Sequence, residues 1–377
     1  MKSDVLLFKG SEKLFTLGVE MEFQVLDESS LMLTPRANEI IDKLLVKKLK
    51  PEFFQSSLEI ITGICSSVHE VKDDFLKTLD LVNGATSELG IKLSSTGTHP
   101  EADYRDRLVT PSKRYSELMD RNQWIIKRMA VYGMHIHVGM KSGDDCIKFH
   151  NFFLHLVPHL LALSASSPFW QRLHTGLASA RPTMYEAMPT SGMPHIVRTW
   201  RGFGKIYQDM VRTNSIKGIR DLWLDLRPSP ALGTLEIRVF DQPATLTEAM
   251  AITAFVHVLA YWYDANREEW EAEHKKLHPW IFRENKWRAI RYGLNAEIIQ
   301  TDTKKNVMVR DDTFNWLEKL NPLVKRFGYE HYFFTLQNIL KLGNSSDRQL
   351  AVFQRNNELH DVIKHNVKEF ENGSPVW

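Results

Sequence analysis

Two cysteines, Cys65 and Cys146, are all that 377 residues contain. A chain of this length buries a large core without covalent staples, so this scarcity argues against a secreted disulfide scaffold and fits a reducing compartment. An excess of one charge is lacking as well: 48 Lys plus Arg stand against 46 Asp plus Glu, a formal net charge of +2. The balance argues against nucleic acid or an anionic membrane as a partner held by bulk electrostatics. Repeats, low-complexity tracts and pooled Pro/Gly linkers are absent, which leaves one domain over 1–377 as the simplest organisation. Met1–Phe8 holds no apolar stretch of signal-peptide length. The most apolar run, Phe152–Ala165, is interrupted by His155, Pro158 and His159 and falls short of the roughly 20 residues that span a bilayer. These features point to a cytoplasmic protein in which that run is a buried helix.

The usual nucleotide signatures are missing too. Neither GxxxxGK followed by Ser or Thr nor GxGxxG occurs, and Gly202-Phe203-Gly204-Lys205 is the nearest approach, which disfavours P-loop and Rossmann proteins. No GxSxG is present, and His274-xxx-His278 lacks the Glu of a zinc protease, so that pair reads as a solvated helix face. His150, His155 and His159 read as core or surface histidines, and the two cysteines as small buried hydrophobes.

What the sequence does contain is a set of short extended runs with charged residues at alternate positions. Phe15–Leu26, Ser57–Thr62, Ile91–Gly97, Met134–Met140, Asp221–Arg227 and Leu232–Phe240 look extended, the last two joined by a turn at Pro228–Pro230. Between them Val68–Leu89, Tyr115–Tyr132, a segment through Leu163 and Lys205–Asn214 look helical, as does nearly everything from Leu246 onward. Successive side chains of a strand point to opposite faces. Glu20, Glu22 and Gln24 therefore share a face, as do His135 with His137, and Thr234 with Glu236 and Arg238, while Glu59 sits opposite Leu58 and Ile60. An α+β architecture follows: an antiparallel sheet with helices on its apolar side and a polar cradle on the other.

For a single strand, such a face is ordinarily just solvated. Here carboxylates and imidazoles dominate in several strands, and these are ligand types for divalent cations and metal-bound nucleotides. Glu20 and Glu22 lie about 7 Å apart on one strand at a rise of 3.3–3.4 Å per residue. Left alone, such like charges raise one pKa, which a bound cation or a nearby Arg resolves. Magnesium takes a few carboxylates together with phosphate oxygens, which suits Glu20, Glu22, Glu59 and Glu236; manganese fits the same donors. His135 and His137 are candidate ligands by context. Arg238 is suited to bidentate phosphate contact, with Arg227 entering from the adjacent run. The segment Thr175–His195 is a candidate substrate-side loop in which Arg181 is available for a substrate carboxylate. Arg288 and Arg291, three apart on a helix, are read as facing solvent.

Several stretches then occur in a telling order: Gly18-Val-Glu-Met-Glu-Phe-Gln24, Thr96-Gly-Thr-His-Pro100, Met134-His-Ile-His-Val-Gly139, Ser164-Ala-Ser-Ser-Pro-Phe-Trp170, Met188-Pro-Thr-Ser-Gly192, Asp225-Leu-Arg-Pro-Ser-Pro230, Leu232-Gly-Thr-Leu-Glu-Ile-Arg-Val239 and Lys286-Trp-Arg-Ala-Ile-Arg-Tyr-Gly293. Together they resemble the bacterial carboxylate-amine ligases, also called glutamate-cysteine ligase type 2, across nearly the whole chain. Met21 and Met134 depart from the commoner pattern, neither at a proposed ligand. The resemblance implies a glutamine-synthetase-like fold and an ATP-dependent ligase that forms an amide through an acyl phosphate, with magnesium or manganese. It implies Glu20, Glu22, Glu59, His137 and Glu236, with His135 as a second choice, as metal or metal-nucleotide ligands. Arg238 would contact phosphate, with Arg227 as a second choice. Its substrates would be a small amino acid and an amine, with glutamate and cysteine as the first reading, in the setting of glutathione synthesis. The competing readings are a phosphotransferase acting on a guanidino or carboxylate acceptor, and a nucleotide-binding protein without turnover. A homodimer is the default on base rates.

Overall fold

A computed structural model describes residues 6–274 and 276–377. A seven-stranded sheet lies at its centre, built from β1 (Leu17–Asp27), β2 (Leu49–Pro51), β3 (Ser57–Ile61), β4 (Ile91–Ser94), β5 (Gly133–Gly139), β6 (Leu226–Ser229) and β7 (Thr234–Asp241). Its order is β6-β7-β5-β1-β3-β2 with every pairing antiparallel, and β4 pairs with the end of β1. Gln24 faces both Ser57 and Ser94, so β3 and β4 flank β1 on opposite sides.

The alternation in the sequence becomes the two faces of this sheet. Val19, Met21 and Phe23 are at most 1% exposed, and Met134, Ile136, Val138, Leu235, Ile237 and Val239 are all shut from solvent. Against this apolar face pack α1 (Val68–Leu89), α2 (Gly143–Ser164) and α3 (Leu246–Glu273). Each begins on a hydroxyl N-cap: the side chains of Ser67, Ser142 and Thr245 accept from the N–H of Glu70, Asp145 and Glu248. The helix α2 contains the apolar run expected to be too short for a bilayer. At 22 residues it is long and apolar enough to cross one, but 83% of its most apolar window is buried in the protein, so it is a core helix.

Some boundaries differ from those expected. The helix expected over Tyr115–Tyr132 is two pieces, Lys113–Asn122 and Trp124–Lys127, because Gln123 takes a left-handed φ of 50° that interrupts the helix. The helix expected at Lys205 starts at Trp200, where Thr199 caps it. The run expected over Ile91–Gly97 ends as a strand at Ser94. In place of one strand over Asp221–Arg227 there is a helical turn, Ile219–Asp221, a two-residue strand, Trp223–Leu224, and then β6. The reversal into β7 follows Ser229, later than Pro228–Pro230. Its Gly233 has φ +71°, and a Cβ there would lie 1.9 Å from the Lys9 carbonyl oxygen. Beyond Leu246 the described residues form helices and their connections, apart from a small hairpin, Glu297–Ile299 with Asn306–Met308. The helices include α4 (Pro279–Tyr292).

Candidate active site

Strand register decides which polar side chains meet. Glu20 faces His135, Glu22 faces Glu59, His137 faces both Gly18 and Glu236, and Glu236 faces Arg227. The register thus puts Glu20, Glu22, Glu59, His135, His137, Glu236 and Arg227 on one face of the sheet. Glu20 bridges both histidines: its Oε2 is 3.0 Å from His135 Nδ1 and its Oε1 is 3.2 Å from His137 Nε2. The other nitrogen of His137 meets Thr234 Oγ1 at 2.9 Å. Glu236, 1% exposed, accepts from Arg227 Nε and Nη2 at 2.9 Å each and pairs with Arg238.

One participant carries no periodic signal in the sequence. Glu52, just after β2, joins Glu22 and Glu59, and donor atoms of the three lie within 4.8 Å of one another. Two further groups meet the same condition, Glu20 with Glu59 and His135, and Glu20 with His137 and Glu236. Glu52 sits beyond the end of a short strand, where no alternation marks its direction. Its position is set by long-range bonds, such as that from Thr110 Oγ1 to its carbonyl at 2.6 Å.

Electrostatics divides the site in two. At the Arg-rich end, burial opposes ionisation of Glu236, but Arg238, Arg227 and the histidines overcome it and hold the carboxyl well below its ordinary range. Burial likewise opposes ionisation of Glu20, and hydrogen bonds to His135 and His137 overcome it. His137 is raised despite burial because Glu236 and Glu20 favour its cation, whereas burial and Arg238 push His135 down to about 4. Burial and the neighbouring Arg238 bring Arg227 down to about 10.

At the acidic end the reverse holds. Burial and the charge of Glu52 raise Glu22 to about 8, and burial with three neighbouring carboxylates raises Glu59 well above its usual value. Glu52 is raised chiefly by burial. Among the described residues none of these three carboxylates is within ion-pair distance of a Lys, Arg or His. Hard oxygens set against one another, beside a buried His135 Nε2 without a hydrogen-bond partner, form a donor set that fits divalent cations.

A cavity opens over this face, lined on its polar side by Glu22, Glu52, His135, Arg181 and Arg238 and on its apolar side by Phe53, Phe54, Trp223 and Leu224. Arg238 therefore reaches the cavity. Arg227 does not line it, since its Nε and Nη2 are engaged by Glu236 and its Nη1 donates to the Leu222 carbonyl at 3.1 Å. Arg181 opens the short helix Arg181–Tyr185 and is 6% exposed, with Nε buried and unpartnered. Gly133 makes room for it: a Cβ there would lie 2.1 Å from Arg181 Nη2.

Residues outside the cradle take other places. Arg291 is exposed, and Arg288 pairs with Glu284 at 2.7 Å. The expected solvated helix face of His274 and His278 does not form, because α3 ends before His274, which stacks on Trp270 at 3.7 Å, and His278 precedes α4. His150 and His159 are buried, and His155 is half-buried against Thr301. Both cysteines are buried and unpaired.

Residues 16–368 match the sequence pattern of glutamate-cysteine ligase family 2. The chain belongs to that family. A protein of Bdellovibrio bacteriovorus is 39% identical over 364 residues, 96% of either chain. One from Thermobifida fusca is 37% identical over 370 residues, 96% of this chain and 92% of its own. Both carry the provisional name glutamate–cysteine ligase 2. In fold, the chain resembles a glutamate–cysteine ligase of Francisella tularensis solved in complex with AMP, with a TM-score of 0.69 at 13% identity over 96% of this chain and 90% of that one. A bifunctional glutathione synthetase of Pasteurella multocida gives 0.69 at 13% identity over 95% of this chain and 52% of that one. The α+β architecture expected from the sequence, an antiparallel sheet with helices packed on one face, is thus the fold of the chain and is shared with the solved glutamate–cysteine ligase, and an ATP-dependent carbon–nitrogen ligase is the enzyme class of its family.

Proposed function

We propose that the polar face binds ATP with divalent cations and joins the γ-carboxyl of glutamate to the amine of an amino acid such as cysteine. The observation carrying this reading is the row of three overlapping carboxylate and histidine clusters beside a cavity that also holds two arginines. Glu20, Glu22, Glu52, Glu59, Glu236, His135 and His137 would hold magnesium or manganese, whose chemistry when bound is to neutralise the triphosphate.

The residues divide the remaining work. Arg238 faces the phosphoryl group as the substrate carboxylate displaces ADP in line, and its fixed charge stabilises the oxygens of the group in transfer. Arg227 holds the Glu236 carboxylate in one orientation. Arg181 receives the free carboxylate of the acid substrate and turns the reacting carboxyl toward ATP. The product of this first step is an acyl phosphate and ADP, and attack by the amine releases phosphate and leaves an amide.

Isotope transfer tests the sequence of events. With glutamate carrying ¹⁸O in its γ-carboxyl, one label appears in the phosphate released during amide formation. Release of unlabelled phosphate would overturn the acyl-phosphate route. ADP formation with an acid substrate and no need of an amine would favour the phosphotransferase alternative.

A further inference from the structure

The motifs Asp225–Pro230 and Lys286–Gly293 supply none of the proposed cation ligands, yet the fold joins them beside the cavity. Lys286 on α4 is 2% exposed, and its Nζ lies 2.5 Å from Oδ2 of Asp225, which is shut from solvent entirely. Lys286 also pairs with Glu186. The hydroxyl of Tyr185 donates to Asp225 Oδ1, and the Asp225 carbonyl accepts from the N–H of Arg238 at 2.7 Å. A carboxylate this deep is tolerated only with a counter-ion and with its oxygens hydrogen-bonded, and Lys286 and Tyr185 meet both needs.

Tyr185 in turn carries Arg181, whose guanidinium carbon stands 5.1 Å from the centre of its ring. A guanidinium held over an aromatic face keeps N–H groups for other partners. Of those of Arg181, Nη1 donates to the Arg238 carbonyl at 3.4 Å, and Nε is unpartnered. Lys286 and Asp225 are absent from the cavity wall, while Tyr185 and Arg181 are part of it. Influence therefore runs from the buried ion pair through the tyrosine hydroxyl to the arginine.

We infer that Lys286 and Asp225 are positioning residues, fixing Tyr185 by its hydroxyl so that the Tyr185 ring holds Arg181 in the direction from which it receives the acid substrate. This rests on the reading of Arg181 as the carboxylate anchor. Tyr185→Phe removes one hydroxyl and leaves the ion pair, so it disturbs folding least. It raises the KM for the acid substrate roughly three- to tenfold, as loss of one buried hydrogen bond does. The KM for ATP stays unchanged, which reports an intact fold, and the effect vanishes in an Arg181→Ala background. Asp225→Asn combined with Lys286→Gln removes both charges together and reproduces the shift in KM, while Lys286→Arg preserves the wild-type value. An unchanged KM in Tyr185→Phe alongside a raised one in Arg181→Ala overturns the positioning role alone. An unchanged KM in Arg181→Ala overturns the anchor reading and this inference with it.

Discussion

Glu22 and Glu59 face each other across neighbouring strands, and among the described residues neither is ion-paired. Such a pair costs stability once both carboxyls ionise. The Glu22 carboxyl, raised to about 8, keeps in the folded chain a proton that the unfolded chain loses near its ordinary value of 4.5. The folded state therefore binds more protons between those values, and stability falls as pH rises through that window. With a chelator present, the thermal midpoint should drop between pH 6 and pH 8. Magnesium, which competes with protons for the same oxygens, should largely remove the drop, and Glu22→Gln should flatten the chelator curve. Equal slopes with and without magnesium would count against a cation site here.

Glu52→Gln should raise the magnesium concentration needed for half-maximal activity on the order of tenfold, because one anionic ligand is lost. The same variant in chelator at pH 8 should melt at a higher temperature than wild type, since a buried like charge is gone. Activity titrations and melting curves read the two effects separately.

Arg238→Ala should lower kcat by on the order of 10²–10³ through loss of charge stabilisation at the transferring phosphoryl group. Glu236 retains Arg227 as a partner in that variant, so the fold survives with a modest loss of thermal stability. A wild-type kcat would remove Arg238 from the reaction.

Gly133→Ala places a methyl group where the Arg181 guanidinium lies. The backbone of Gly133 does not require glycine, so the consequence falls on Arg181, which must move. The KM for the acid substrate should rise roughly tenfold, as loss of a hydrogen bond to a charged group does, with the KM for ATP unchanged. Steady-state kinetics in both substrates checks this.

How much of this was legible in the sequence depends on the range of the interaction. The two-residue period of β1, β5 and β7 carries its own information, so the apolar and polar faces and their charged residues could be read directly from Val19–Phe23, Met134–Val138 and Thr234–Val239. Which strands are neighbours is not periodic information. Only the register shows that Glu236 meets Arg227 and His137, and that Arg227 is thereby kept from the cavity. Glu52 escaped for the same reason, as a loop residue whose direction depends on contacts with distant chain. Arg181 could be suspected from its segment, but its burial depends on Gly133, and the Tyr185 that underlies it is anchored by Asp225 and Lys286 from two other segments. The interruption at Gln123 is of this kind too, since nothing local in Asn122-Gln123-Trp124 signals a left-handed residue.

ATP-driven amide formation at the polar face leaves two products that can be counted together. The most direct test is to incubate the protein with magnesium-ATP, glutamate and a panel of amines that includes cysteine, measuring ADP and identifying products by mass spectrometry beside Glu236→Gln. ATP-driven amide formation yields ADP and a new amide in equal amounts, both dependent on the amine and both lost in the variant. ADP produced equally by wild type and Glu236→Gln, with no amide from any amine, would contradict it.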